Sequence, residues 1–346
     1  MSRAVPLAVA AVSAGPVLLG LGGCYETTPR AEETRTFQLR HAGALNVEAR
    51  TGFGDVDIAT TGTPLPRWAE QTEDAPSRGS AAADEVYVVA VVGSRDAERL
   101  ALASVEPRIE NGTLYLRESW PATTRKNLNE GTRWAVRMPG VRAADVYTDF
   151  GDIALHHATG PASLESDFGD VLLHEHRGSV VVDTDYGDVA ITLADGHSGP
   201  FEVVSGYGDI AVDGVRVPAN IRTDFGDIAV HGASAPLDLH TDYGEISASF
   251  TQDAAGPIRA YSDFGQVRVE LGTAFSGVLE AATDFGSVKV RGDVPEHASI
   301  RGKKDYRLLT LAPRTGAGSE VARESALESD YGDVIIEFRG EANRID

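Results

Sequence analysis

The chain has 346 residues, 42% of them apolar, enough for one elongated folded domain. Its formal net charge of −21 disfavours nucleic acid and anionic membrane surfaces as partners. A single cysteine excludes an intrachain disulfide.

The first residues read as an export signal. Arg3 precedes an apolar run from Ala4 to Leu21, and the run ends in Leu21-Gly22-Gly23-Cys24. This pattern predicts a secretory signal over residues 1–23 with a bacterial lipobox, so that Cys24 becomes an acylated N-terminus and anchors the chain to the cell envelope. Pro6 and Pro16 argue against a stable spanning helix. Residues 24–36 are polar and read as a tether. Residues 37–346 then form one repeat domain, irregular over 37–140 and regular over 141–340.

In the irregular part, Leu45-Asn46-Val47-Glu48-Ala49 and Val86 to Val92 read as strands. The stretch from Thr60 to Asp84, rich in Pro, Gly, Ala, Ser and charge, reads as a loop. Arg95 to Ala103 suits a short helix. Asn111-Gly112 between two strand-like runs signals a hairpin. The alternation of Trp134 to Met138 leads into the regular part.

One short phrase organises the remainder: hydroxyl, any residue, aromatic, Gly, acid or polar, aliphatic. It runs from Thr51-Gly52-Phe53-Gly54-Asp55-Val56 to Ser329-Asp330-Tyr331-Gly332-Asp333-Val334. Its glycines fall at 54, 151, 169, 187, 208, 226, 244, 265, 286 and 332. A fixed period of this kind marks a stacked repeat architecture. Lys304-Asp305-Tyr306-Arg307 reads as a decayed copy filling the last gap, and Ile335-Ile336-Glu337-Phe338 as the strand that closes the far end. Aliphatic residues alternate on both sides of each glycine, as in Val180 and Val182 before Gly187 and Val189 and Ile191 after it. Period two on both sides predicts two strands per rung, each burying one face. A rung of 18–21 residues is too short to hold a helix between parallel strands. The expected fold is therefore all-β, a single-domain parallel β-helix or β-solenoid, with glycine at a corner of positive φ.

Stacked rungs turn sequence columns into rows of like side chains. The hydroxyl column, which includes Thr184, Ser205 and Thr223, has inward parity and must hydrogen-bond to the next rung. The aromatic row, including Phe150, Phe168, Tyr186, Tyr207, Phe225 and Tyr243, has two readings. Parity makes it a buried or half-buried corner stack; alternatively it is an exposed strip for sugar rings or a partner. The acidic rows contain Asp149, Asp167, Asp185, Asp224 and Asp242 on one side and Asp152, Asp170, Asp188 and Asp227 on the other. Like charges at rung spacing repel, so they need compensation, from backbone amides as in Asx turns or from Ca²⁺. The Gly-Gly-x-Gly-x-Asp pattern of calcium-binding rolls is absent, and no cofactor is expected. His156 and His174 share a register, as does His231, and read as solvated side chains or a two-His metal site. No HExxH, GxSxG, Walker or dinucleotide motif occurs.

The tandem hydroxyl-x-x-Gly-Asp-Ile/Val phrase resembles the DUF4097 family of bacterial envelope proteins, also called adhesin-like, over roughly residues 37 to 340. The resemblance implies a β-helical fold, an envelope location and no defined catalytic activity. The Phe or Tyr before each glycine departs from the small polar residue expected of that family there. The expected role is a non-catalytic, lipid-anchored surface for adhesion or scaffolding, meeting a glycan or an envelope protein and not nucleic acid. The alternatives are an envelope-stress regulator acting through a protein partner and a polysaccharide lyase or hydrolase.

Overall fold

The computed structural model describes residues 11–12, 31–70, 84–122, 129–251, 256–272, 275, 277–296, 298–311 and 324–340. The chain divides into two compact units, Met1–Gly178 and Ser179–Asp346. Each is built of β-strands arranged in two sheets. Among the described residues no helix is long and apolar enough to cross a membrane.

In the first unit, one sheet runs Ser104–Glu110, Thr113–Ser119, Leu45–Phe53, Val141–Phe150, Ala162–Phe168. All its neighbours are parallel except the hairpin of the first two strands, which turns at Asn111 and Gly112 with φ of 51° and 77°. Positive φ at both positions is what an Asn-Gly pair supplies. Pro107 lies in the outermost strand, where a missing amide leaves no ladder bond unmade. The second sheet contains Ala31–Arg40, Glu85–Ser94, Gly131–Met138, Val56–Thr60, Ile153–His156 and Val171–His176 in that order. Its first three strands are antiparallel. Residues 31–36, expected in the tether, are therefore strand; residues 24–30 lie outside the described part. Polar Glu-Glu-Thr-Arg-Thr gives no strand periodicity, and it is the ten-residue pairing with the buried run Val86–Val92 that extends it. The expected loop after Thr60 contains the helix Arg67–Glu70, and its residues 71–83 lie outside the described part. A second short helix, Ala97–Leu100, starts at Asp96, whose carboxylate accepts the amides of Glu98 and Arg99.

In the second unit the rungs repeat closely. Val180–Tyr186, Phe201–Tyr207, Ala219–Phe225, Leu237–Tyr243 and Ile258–Phe264 pair in parallel in one sheet. Val189–Leu193, Ile210–Asp213, Ile228–Ala233, Ile246–Phe250 and Val267–Gly272 pair in the other. Inward residues such as Val182, Val203, Ile221, Ile210, Ile228 and Val230 are buried and form the core. At about 1.5–3 kcal/mol for each fully buried aliphatic side chain, this stacking supplies most of the stability of a rung.

Two expectations about the end of the repeat are corrected. The last rung does not close the far end. Glu324–Ser329 lies between Ile258–Phe264 and Gly277–Thr283, and Val334–Arg339 lies between Val267–Gly272 and Val288–Gly292. The C-terminal rung is thus interleaved between two rungs that adjoin in sequence. Tyr306 is not in a decayed rung either. Tyr306–Leu311 pairs antiparallel with both Gly277–Thr283 and Ala298–Gly302. With Arg307 in place of glycine, the chain lacks the residue that a rung needs at its tightest point.

That tight point is also why the phrase keeps glycine. The backbone at Gly226 is near-extended (φ 157°), so a left-handed corner is not what selects it. A methyl group there would overlap the carbonyl of Gly208, and one on Gly244 would overlap the carbonyl of Gly226. The glycines of successive rungs pack backbone against backbone.

Candidate functional site

Each turn of the phrase is held by three contacts to its neighbour. The hydroxyl donates to the glycine carbonyl of the adjacent rung: Ser205 to Gly187 at 3.3 Å, Thr223 to Gly208 at 3.2 Å, Thr241 to Gly226 at 3.0 Å. The glycine amide donates to the carbonyl of the next aromatic, as from Gly208 to Phe225 at 2.9 Å. The acid after glycine accepts the amide of its counterpart one rung on: Asp170 to Asp152 at 2.9 Å, Asp209 to Asp188 and Asp227 to Asp209 at 2.8 Å, Glu245 to Asp227 at 2.7 Å. Each of these carboxylates therefore has a backbone donor that offsets the repulsion along its row.

The turn places the aromatic row outward. Along Val180–Tyr186 the side chains alternate buried and exposed until Thr184, and then Asp185 and Tyr186 are both exposed. The alternation breaks at the end of the strand, where the chain bends into the glycine. The row is therefore an exposed strip and not a buried corner. In the first unit Phe53, Phe150 and Phe168 stack at 4.6 and 4.8 Å. In the second, Tyr186, Tyr207, Phe225, Tyr243, Phe264, Tyr331 and Phe285 follow in spatial order at 4.7–4.9 Å, with ring planes within 1–6° of parallel. Tyr331 stands between Phe264 and Phe285 because its rung is interleaved. The rings from Tyr186 to Tyr331 are 41–51% exposed, and the terminal Phe285 is 68% exposed. Since neighbouring rings cover one another's faces, the strip presents ring edges. Ring pairs of this kind contribute about 0.5–1.5 kcal/mol each beyond area burial.

Carboxylates border the strip. Asp185 and Asp224 are exposed, while Asp149, Asp167 and Asp242 are half-buried. Asp242 lies 3.0 Å from the His240 ring. The nearby Asp149 carboxylate, with burial, pushes the ionisation of the Tyr147 phenol well above the usual range; Asp263 acts likewise on Tyr261, whose hydroxyl donates to Asp330 at 3.4 Å. On the other border Asp152, Asp170, Asp188 and Asp227 are exposed. Burial raises the Asp152 carboxyl above its ordinary value, opposed by the Asp170 amide and reinforced by the charges of Asp55 and Asp170. In the last rung Asp333 is held low by hydrogen bonds from Lys289 and Ser287.

His156 and His174 are register partners with ring centroids 6.0 Å apart, and His157 joins them at 6.5 and 5.8 Å. Burial lowers the His156 pKa, with Asp57 at 3.9 Å acting the other way. His231 lies in the second unit opposite Asp213. Among the described residues no group of three or more His, Cys, Asp or Glu is arranged to hold a metal ion. Cys24 lies outside the described residues.

Sequence reasoning missed Glu118. Its Oε1 accepts from the Thr51 hydroxyl at 3.3 Å and the Gly52 amide at 3.4 Å, so it caps the turn of the first copy of the phrase. Burial raises its carboxyl, while the hydrogen bonds from Gly52 and Thr51 pull it back down. A raised folded-state pKa contributes stability that is full below the unfolded value and lost as pH rises through the folded one. Glu118→Gln should therefore raise the melting temperature relative to wild type, and more at pH 8 than at pH 5. Parallel melts of the two proteins across that range check it, and an equal difference at both ends would refute it.

Stacked rungs with rows of like side chains define a β-solenoid repeat protein. Residues 199–325, about a third of the chain, match the family model described as Toastrack DUF4097, the family that the tandem phrase resembles. No curated protein matches the chain. Similar solved structures include a candidate adhesin from Bacteroides fragilis (14% identity, TM-score 0.35, covering 89% of this chain and 97% of that one). Another is a candidate lipid-binding protein from Parabacteroides distasonis (10% identity, TM-score 0.37, 88% and 96%). A third is a candidate cell adhesion protein from Clostridium sporogenes (10% identity, TM-score 0.21, 89% and 100%).

Proposed function

We propose that the protein is a non-catalytic adhesion or scaffold module of the bacterial envelope, anchored through a lipid on Cys24, and that the aromatic strip is its contact surface. The exposed row of seven rings in the second unit carries this reading. A soluble chain rarely leaves a continuous apolar strip in water unless something covers it. The even repetition of the acids, with Asp152, Asp188, Asp209 and Asp227 each accepting a backbone amide, favours a structural and electrostatic role over a catalytic pair. The Leu21-Gly22-Gly23-Cys24 sequence supports the anchor.

Two measurements test the reading separately. Cys24→Ser should shift the exported chain from the membrane fraction to the soluble one; retention in the membrane would remove the lipid from the account. Replacing Tyr207, Phe225 and Tyr243 together by serine should abolish adherence of beads coated with the chain to whole bacterial envelopes. Undiminished adherence of the folded variant would remove the strip.

A further inference from the structure

We infer that the occupant of the strip is an extended, Arg- and Lys-rich polypeptide segment bearing apolar side chains, and not a glycan. The inference rests on the strip being the contact surface and adds what it contacts. Sugars bind aromatic side chains chiefly across the ring face. Here the faces are taken: the planes lie within 1–6° of parallel at 4.7–4.9 Å, so along the row only edges meet solvent. Phe285 ends the row, and one terminal ring does not make a glycan track.

What the row offers is a narrow apolar ridge between two lines made mostly of carboxylates, interrupted at Gly206, Gln266 and Ser287. Each ring of the three rungs ending at Phe225, Tyr243 and Phe264 follows directly on an aspartate, and in Tyr207-Gly208-Asp209, Phe225-Gly226-Asp227 and Tyr243-Gly244-Glu245 an acid stands beyond the glycine. Between Val180 and Thr283 the sequence has 16 acidic residues against 4 arginines and no lysine. Such a surface is complementary to a chain that brings apolar groups to the ridge and cations to both borders. Arginine and lysine do both, since their methylene stems lie on apolar surface while their charged heads reach outward. The row from Tyr186 to Phe285 spans roughly 29 Å, which matches about nine residues of extended chain. A polypeptide also needs no match to the rung pitch, because ring edges give a continuous ridge and not a set of discrete pockets.

The experiment is fluorescence anisotropy of a labelled nine-residue peptide alternating Arg and Leu, titrated with the full chain in detergent. The same peptide with Glu for Arg, and soluble oligosaccharides of chitin and cellulose, serve as comparison. The expected result is binding of the Arg peptide alone, weakened at least tenfold by Tyr207→Ser, Phe225→Ser and Tyr243→Ser together. Asp224→Asn with Asp242→Asn should weaken it and flatten its salt dependence. If the serine variant does not fold, Tyr207→Leu, Phe225→Leu and Tyr243→Leu keep the strands apolar and should still weaken binding at least threefold. Ring variants that fold and bind the Arg peptide as well as wild type would mean charge alone, and the inference falls. Oligosaccharide binding that depends on the rings would overturn the inference while leaving the strip as a contact surface. No ring-dependent binding of peptide, sugar or envelopes would overturn both.

Discussion

Gly226→Ala should destabilise the second unit by about 3 kcal/mol or more, at the upper end of what overpacking costs. The added methyl would meet the Gly208 carbonyl oxygen, an atom fixed by the rung hydrogen bonds and unable to rotate away. That carbonyl also accepts from the Thr223 hydroxyl at 3.2 Å, so displacing it strands a buried donor. The effect should reach the rungs on both sides, because the displaced Gly208 carbonyl belongs to the preceding rung, while the Gly226 amide donates to Tyr243 and its carbonyl accepts from Thr241 in the following one. Urea unfolding of the variant, followed by tryptophan-independent far-UV signal, should show the midpoint fall. Alanine at Gly232, where nothing stands within 4 Å, is the comparison, although its φ of 65° carries its own strain. A Gly226→Ala midpoint no lower than that of Gly232→Ala would show that the glycine row is not tightly packed.

Ending the chain at Leu311 should have a still larger but more local effect. It removes Leu327, Val334, Ile335, Ile336 and Phe338, all buried. At about 1.5–3 kcal/mol each, their loss amounts to roughly 7–15 kcal/mol, as much as a whole domain usually has to spare. The missing rung lies between Val267–Gly272 and Val288–Gly292, so the truncation opens a gap and does not trim an end. In a stack where each rung touches only its neighbours, the rungs before Ile258 should stay folded. Hydrogen exchange should therefore show protection kept over Val180–Phe250 and lost from Ile258 onward. Full protection through Thr283 would mean that Gly277–Thr283 has moved across to pair with Ile258–Phe264, and that the interleaved rung is dispensable.

The rungs were legible because their cause is local and repeated. Every copy places Val or Ile two residues after glycine and a hydroxyl three before it, so strand pairing, register and the buried hydroxyl column follow from parity. The order of the last rungs was not legible for the same reason. Copies so alike can pair with one another in any sequence, and nothing in Ser329–Val334 says which neighbours it takes. The long gap before it was the available signal, and it read as a decayed copy. The outward turn of Tyr186 and its equivalents escaped because alternation holds only while the strand does, and the strand ends there. Glu118 escaped because it occurs once, on a strand whose place beside Leu45–Phe53 comes from pairing across more than sixty residues.

The interleaved rung also bears on time. Residues 324–340 are synthesised after every other strand of the second unit. Until they arrive, Val267–Gly272 and Val288–Gly292 wait without the strand that joins them. A chain stopped before Arg339 cannot finish the second unit, so the completed fold records that synthesis has passed the interleaved rung.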